Sequence, residues 1–425
     1  MTSSILIRNV AVQGALSDIL IQGSRIAAIT PSGTSHPLAH TVIDGTGLAA
    51  FPGLVNCHTH AAMSLFRGYG DDLPLQQWLS TKIWPNEAHL NEDIIYWGTR
   101  LACLEMIKSG TTCFNDMYFF PRQVAQAVLD SGLRAVVGLT TIGNDMPQIR
   151  AAHQQLEQLI AQFSSPSAQG DTQVSFAVAP HAIYTVGPDT LRWLHDFALD
   201  HDLLYHIHVS ETLTEVNDSQ KQHLLSPVEL LAKLGVLSSA TIAAHCVWLS
   251  PHDIHLLGSH QVKVVHNPNS NLKLGSGHEF KYSELAAAGA TVTLGTDGCS
   301  SSNNLDMIEA AKVASLLQKG WRRDTTVLPA AEALRMASLS GAQALRVDAG
   351  TLAPGKLADL FLVNLDHLAF VPDNDTISNL VYAAHGDCVD TLICGGRILM
   401  QHRQVPHEKE IIANARRVVK DLITI

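Results

Sequence analysis

Eight short apolar runs, at 54–60, 111–117, 134–140, 174–181, 203–210, 241–247, 262–267 and 291–297, alternate with amphipathic stretches through the middle of the chain. A strand buried on both faces reads as a continuous apolar run, and helices that cover such a sheet read as amphipathic. The pattern is therefore that of βα units around a parallel sheet, and eight is the number that closes a barrel. The punctuation agrees. Asn91 precedes Glu92 and Asp93 as a helix N-cap with Gly110 beyond the far end, while Ser226-Pro227 and Ser250-Pro251 each offer a cap followed by proline. The Ser, Pro and Gly content of 162–172 marks a loop.

Outside the alternating region the texture changes. Residues 4–50 break into short strands at 5–7, 18–21 and 25–29, and the same pattern returns at 358–363 and 389–397. A chain of 425 residues exceeds the roughly 250–300 at which a single hydrophobic core stops growing, so two domains are expected. The prediction is an α/β protein: a (β/α)8 TIM-type barrel over 52–351, with a β-sandwich formed by 1–51 and 352–425 and closed by a C-terminal helix. The segment Gly350-Thr351-Leu352-Ala353-Pro354-Gly355-Lys356-Leu357 imitates a phosphate-binding loop, but Leu357 stands where Mg²⁺ binding needs Ser or Thr. It is assigned to the β domain.

Charge and cysteine usage narrow the partners. With 28 basic against 39 acidic residues the net charge is -11 and there is no basic face, so nucleic acid is not an expected partner. No apolar run reaches about 18 residues, and the opening residues lack a charged segment leading into an apolar one. Seven scattered cysteines, an odd number without a C-x-x-C pair, read as reduced thiols. The expectation is a cytoplasmic protein with no membrane association.

In such a barrel the chemistry sits at the carboxyl ends of the strands. The first run ends Asn56-Cys57-His58-Thr59-His60, where a period of two puts both imidazoles on one face. By composition alone, 22 histidines give about one H-x-H pair, and the chain has two, so the spacing by itself decides nothing. Position adds weight. The second pair, His206 and His208, also ends an apolar run, with His208 nearer the site and His206 read as packed behind it. Two further runs end in a single titratable residue, His245 and Asp297. Three histidines and an aspartate suit zinc or iron with one position open for water.

Taken together, Pro52-Gly53-Leu54-Val55-Asn56-Cys57-His58-Thr59-His60, His208-Val209-Ser210-Glu211-Thr212, the isolated His245, the polar segment from His266 to Gly277 and Gly295-Thr296-Asp297-Gly298 resemble the amidohydrolase superfamily. More narrowly, the chain resembles its 5'-methylthioadenosine/S-adenosylhomocysteine deaminases and their chlorohydrolase-like neighbours. That resemblance implies one divalent metal per subunit, Zn²⁺ before Fe²⁺ or Mn²⁺, held by His58, His60, His208 and Asp297. It implies Glu211 as proton shuttle, with His245 and Asp297 acting on the bound water. Relatives with two metals carry a lysine at the end of strand four, where this chain reads Ala179-Pro180-His181, so a second metal is not expected.

The same resemblance implies Trp78 as a pocket wall, Glu87 on the ribose diol, His181 and Glu211 against the purine, and Arg150 for a substrate carboxylate. Leu139 stands about where relatives that handle a homocysteine tail have an arginine, which favours 5'-methylthioadenosine over S-adenosylhomocysteine; adenosine is a further candidate substrate. Relatives further suggest a homodimer. The alternatives are a deaminase or chlorohydrolase acting on a free purine, pterin or s-triazine ring, and a silent scaffold barrel. The H-x-E and P-C-x-x-C signature of the cytidine-type zinc deaminases is absent.

Overall fold

The computed structural model describes residues 4–163 and 171–423. The N-terminal part forms β1 (Ser4–Val12), β2 (Ala15–Gln22), β3 (Arg25–Pro31), β4 (Thr41–Asp44) and β5 (Leu48–Pro52). The central strands are β6 (Leu54–Thr59), β7 (Thr111–Tyr118), β8 (Arg134–Thr141), β9 (Val174–Pro180), β10 (Leu204–Val209), β11 (Thr241–His245), β12 (Lys263–His266) and β13 (Thr291–Leu294). Near the C-terminus, β14 (Leu360–Asn364), β15 (Val389–Cys394) and β16 (Arg397–Met400) precede a last helix, Glu408–Leu422.

Strands β6 to β13 pair in sequence order, every neighbour parallel, as a nearly closed eight-stranded barrel. Each coincides with one of the eight apolar runs to within about three residues, as expected of strand ends. Strands β6, β7, β10 and β11 are buried along their whole length, because helices cover the outside and side chains fill the inside. The expected helix starts are present. Asn91 accepts from Ile94 N at the head of Glu92–Lys108. Ser226 and Ser250 form capping boxes, in which the Glu229 and Asp253 carboxylates accept from the N-cap amides at 2.7 and 2.8 Å. Of the loop expected over 162–172, residues 164–170 lie outside the described residues, and 162–163 belong to the helix Met146–Phe163.

The seam between the first and last barrel strands decides where the site forms. No regular ladder joins β13 to β6. Asn56 instead bridges it, accepting from Thr296 N at 3.0 Å and donating to Thr296 Oγ1 at 2.7 Å. Asp297 N donates to His58 O at 3.0 Å, and Thr59 Oγ1 donates to Asp297 O at 3.1 Å. Gly295 permits this approach: a Cβ there would stand 2.5 Å from Asn267 Oδ1 and 2.9 Å from His58 N and O.

Strands from both chain ends form a second, mixed eight-stranded sheet with its own apolar core around Ile7, Ile19, Ile21, Leu360 and Leu362. Strand β1 is bulged between Ile7 and Val10 and changes its parallel partner there, from β4 along 5–8 to β5 along 11–12. The phosphate-loop look-alike serves this sheet, since Gly355 N and Lys356 O bond to Ile26. A buried ion pair, Arg134 Nε to Asp359 Oδ2 at 3.3 Å, links the sheet to β8. All seven cysteines are unpaired and buried, and no helix among the described residues is long and apolar enough to cross a membrane.

Candidate active site

The strand ends deliver the polar residues to one cavity at the carboxyl face of the barrel. It is lined by His60, Trp78, Glu87, His181, His208, Glu211, His245 and Asp297 among apolar walls, the mixture of an apolar surround and a few converging polar groups that small-molecule sites have. His58 lies directly behind, fully buried. The donor atoms of His58, His208 and His245 lie within 4.8 Å of one another, as do those of His58, His60 and Asp297. Asp297 Oδ1 is 3.3 Å from His58 Nε2 and 3.1 Å from His60 Nε2.

Three observations show that this donor set fits a cation. His58 Nε2 is buried with no hydrogen-bond partner, an expensive arrangement unless something else binds it. Two of the imidazoles are anchored from behind through Nδ1: His60 donates to Met117 O at 2.5 Å and His208 to His181 O at 2.7 Å. That leaves each Nε2 lone pair free toward the site. Burial would raise the Asp297 carboxyl, but the facing His58 and His60 imidazoles hold it well below the ordinary range, so it is an anion. Ser270 Oγ at 2.6 Å and Gly298 N at 2.9 Å complete its hydrogen bonding.

The third anchor explains the other histidine of the second pair. His206 Nε2 lies 2.9 Å from His58 Nδ1, and the Asn115 side-chain amide lies 3.0 Å from His206 Nδ1 on the far side of that ring. Replacing His206 with phenylalanine keeps the volume and removes this support, so metal affinity is expected to fall by about 10- to 100-fold. Chelator competition measures it; an unchanged affinity reduces His206 to packing.

Beyond the donor cluster, Glu211 turns back over the site after β10. Its Oε1 accepts from Ser276 Oγ at 3.0 Å, its Oε2 lies 4.0 Å from His245 Nε2, and burial raises its pKa. His245, at φ 73, has Nδ1 2.8 Å from Asn271 Oδ1, which leaves Nε2 facing the cavity. Ser210 (φ 50), His245, Cys246 (φ 48) and Asp297 (φ 63) share the left-handed region. Such strain in non-glycine residues gathers where side chains must be aimed.

The far wall comes from a helical stretch over 75–87 with a π-turn at Leu79–Ile83, which presents Trp78, Trp84 and Glu87. Tyr118 Oη donates to Glu87 Oε1 at 2.8 Å. Burial raises the Glu87 pKa and the Tyr118 bond opposes it. His181, pushed down to about 3 by burial and the neighbouring histidines, is neutral and bonded through Nδ1 to Thr185 Oγ1 at 3.0 Å.

One expected residue is not brought here. Arg150 is exposed on Met146–Phe163 with its guanidinium 5.7 Å from the Trp193 ring, outside the cavity, because that helix turns this face to solvent. Leu139 does not line the cavity either; Ile142, three positions on, does. Sequence reasoning assigned no role to Asn115, Tyr118, Glu215, Ser270, Asn271 or Ser276. The last three sit in the polar run after β12, whose density of small polar residues was their visible signal.

The barrel, its cluster and their order along the chain define the class. Residues 49–399 match the amidohydrolase family, and the chain belongs to it. Within that family, the chain is similar to 5'-deoxyadenosine deaminase of Methanospirillum hungatei, at 48% identity over 91% of this chain and 85% of that protein. It is also similar to 5-methylthioadenosine/S-adenosylhomocysteine deaminase of Pelotomaculum thermopropionicum, at 44% identity over 94% and 92%. The crystal structure of an adenosine deaminase from Xanthomonas campestris with zinc bound superposes with a TM-score of 0.92 at 34% identity, covering 100% of this chain and 99% of that one. The cluster is thus a divalent-metal centre of an amidohydrolase.

Proposed function

We propose that the enzyme hydrolytically deaminates an adenine nucleoside with a small 5' substituent, 5'-methylthioadenosine or 5'-deoxyadenosine, giving the inosine-type nucleoside and ammonia. One zinc ion per chain would be held by His58, His60, His208 and Asp297. The observation that carries this reading is the meeting, in one cavity, of the donor cluster, a buried carboxyl turned over it (Glu211) and a second carboxyl on the opposite wall (Glu87).

Deamination at C6 needs a nucleophilic water, a proton on the ring nitrogen and a proton on the departing amine. Zinc, when bound, supplies a Lewis acid that lets water ionise near neutrality. Glu211, whose proton affinity burial raises, gives a proton to the ring nitrogen as water adds to C6, regains one from that water, and passes it to the amine as the C6–N bond breaks. His245, its Nδ1 turned to Asn271, accepts at Nε2 and steadies the attacking water. The ionised Asp297 orients the same water from the other side. Trp78 and the apolar walls exclude bulk water, and His181 faces the purine edge.

Glu87, fixed by Tyr118, accepts from the ribose diol. Replacing Glu87 with alanine is therefore expected to raise KM for nucleosides by about 10- to 100-fold, the cost of a lost charged hydrogen-bond acceptor, while free adenine is little affected. Steady-state ammonia release measures both. Equal effects on base and nucleoside would withdraw the ribose assignment and favour a free-ring substrate. The reading as a whole is tested by ammonia release from 5'-methylthioadenosine, 5'-deoxyadenosine, S-adenosylhomocysteine and adenosine, with protein of known metal content. Silence across all four with metal bound overturns it.

A further inference from the structure

We infer that Glu215 is a positioning residue for Glu211: its carboxylate fixes the strand-end turn that aims Glu211 into the cavity. This rests on the reading of Glu211 as the proton carrier. Glu215 lies in the first turn of the helix Leu213–His223, and its side chain is buried without an ion-pair partner among the described residues. Both oxygens are spent on two consecutive backbone amides, Ser210 N to Oε1 at 3.0 Å and Glu211 N to Oε2 at 2.8 Å.

The chain supplies its own comparison. At the heads of Pro227–Leu234 and Pro251–Ser259, the acidic residue at the equivalent position reaches back to the N-cap amide and closes an ordinary capping box. Thr212-Leu213-Thr214-Glu215 has the sequence of such a box, and Glu215 N does bond to Thr212 Oγ1 at 3.1 Å. Its carboxylate, however, passes over the N-cap and takes the two amides before it. Starting a helix does not require this, and burying an unpaired carboxyl to do it is costly.

What the departure secures is the turn itself. Ser210 sits at φ 50, a conformation a non-glycine residue keeps only when its surroundings hold it there. Its carbonyl accepts from Val247 N at 3.1 Å and Trp248 N at 3.0 Å, and Glu215 holds its amide from the other side. The bend reverses the chain after His208, so that Glu211 comes back to Ser276 and within 4.0 Å of His245. Without it the strand direction would carry Glu211 away from the metal ligands.

The test compares Glu215→Gln with Glu229→Gln, the same change in the ordinary capping box of Pro227–Leu234, which does not line the cavity. Glutamine keeps the shape but sets an NH₂ against one backbone amide. Expected for Glu215→Gln is a roughly 10- to 100-fold loss of kcat, as for a slightly misplaced reacting group, with KM within about threefold and metal content unchanged. Hydrogen exchange at the Ser210 and Glu211 amides should accelerate. Glu229→Gln should change none of these. If Glu215→Gln does not fold, Glu215→Asp, which keeps the charge on a shorter arm, should give an intermediate kcat and intermediate exchange. A wild-type kcat, unchanged exchange, or equal losses in both glutamine variants would overturn the inference. Should the wild-type enzyme release no ammonia from any adenine nucleoside, the reading of Glu211 fails first, and exchange, which needs no turnover, still judges the clamp.

Discussion

Asp297→Asn is expected to lower kcat by about 10³-fold or more while the fold survives. Asparagine occupies the same volume; its oxygen can still accept from Gly298 N while its NH₂ donates to Ser270 Oγ, and the seam bonds of Asp297 run through its main chain, so they stay intact. What is lost is the negative charge that faces His58 Nε2 and His60 Nε2 across 3.3 and 3.1 Å. A neutral amide neither balances a divalent cation at that place nor accepts a proton from water beside it. Circular dichroism should match wild type, metal analysis should show weakened retention, and ammonia release should fall to background. Turnover at the wild-type rate would remove Asp297 from the chemistry and leave it a seam residue.

Glu211→Gln is expected to cost 10²- to 10⁴-fold in kcat, the range for a general acid–base group, with KM changed only a few-fold. The glutamine amide can still accept from Ser276 Oγ, and it adds no bulk to the cavity. It cannot exchange a proton with the ring nitrogen or the leaving amine. Metal content should remain that of wild type, because the ligand cluster does not include Glu211. That separates this variant from Asp297→Asn, in which activity and metal fall together. If Glu211→Gln keeps kcat within about threefold, the carboxyl only braces the turn and another group moves the proton.

How much of this was legible in the sequence differs by level. The eight barrel strands were, because a strand covered on both faces must be apolar along its length; even Lys263–His266, four residues long, stands out between polar neighbours. The residues of the donor cluster were legible as polar residues closing apolar runs, since position in this fold implies function. Strands Thr41–Asp44 and Leu48–Pro52 escaped individual notice because one is short and largely exposed while the other merges into the first barrel run. Asn115, Asn271 and Ser276 were not legible, because their importance lies in partners 91, 26 and 65 residues away in the chain. Glu215 was concealed differently: it fits a helix-start motif so well that the local explanation looks sufficient. Arg150 failed for the opposite reason, a residue type suited to a carboxylate on a helix face turned to solvent.

The seam between the first and last barrel strands also sets when the enzyme becomes one. Asn56 and Thr296, which stitch it, are 240 residues apart in sequence, and His58 and Asp297 flank that same junction. As the polypeptide leaves the ribosome, the histidines of β6 and β10 emerge early, but the carboxylate that joins them arrives only with β13. A metal that needs the full set would therefore be captured only after about seven tenths of the chain has been made, and a product ended earlier would carry the imidazoles without the Asp297 carboxylate. A cation held by His58 and Asp297 would also tie the start of the barrel to its end, across the one junction that no regular ladder closes.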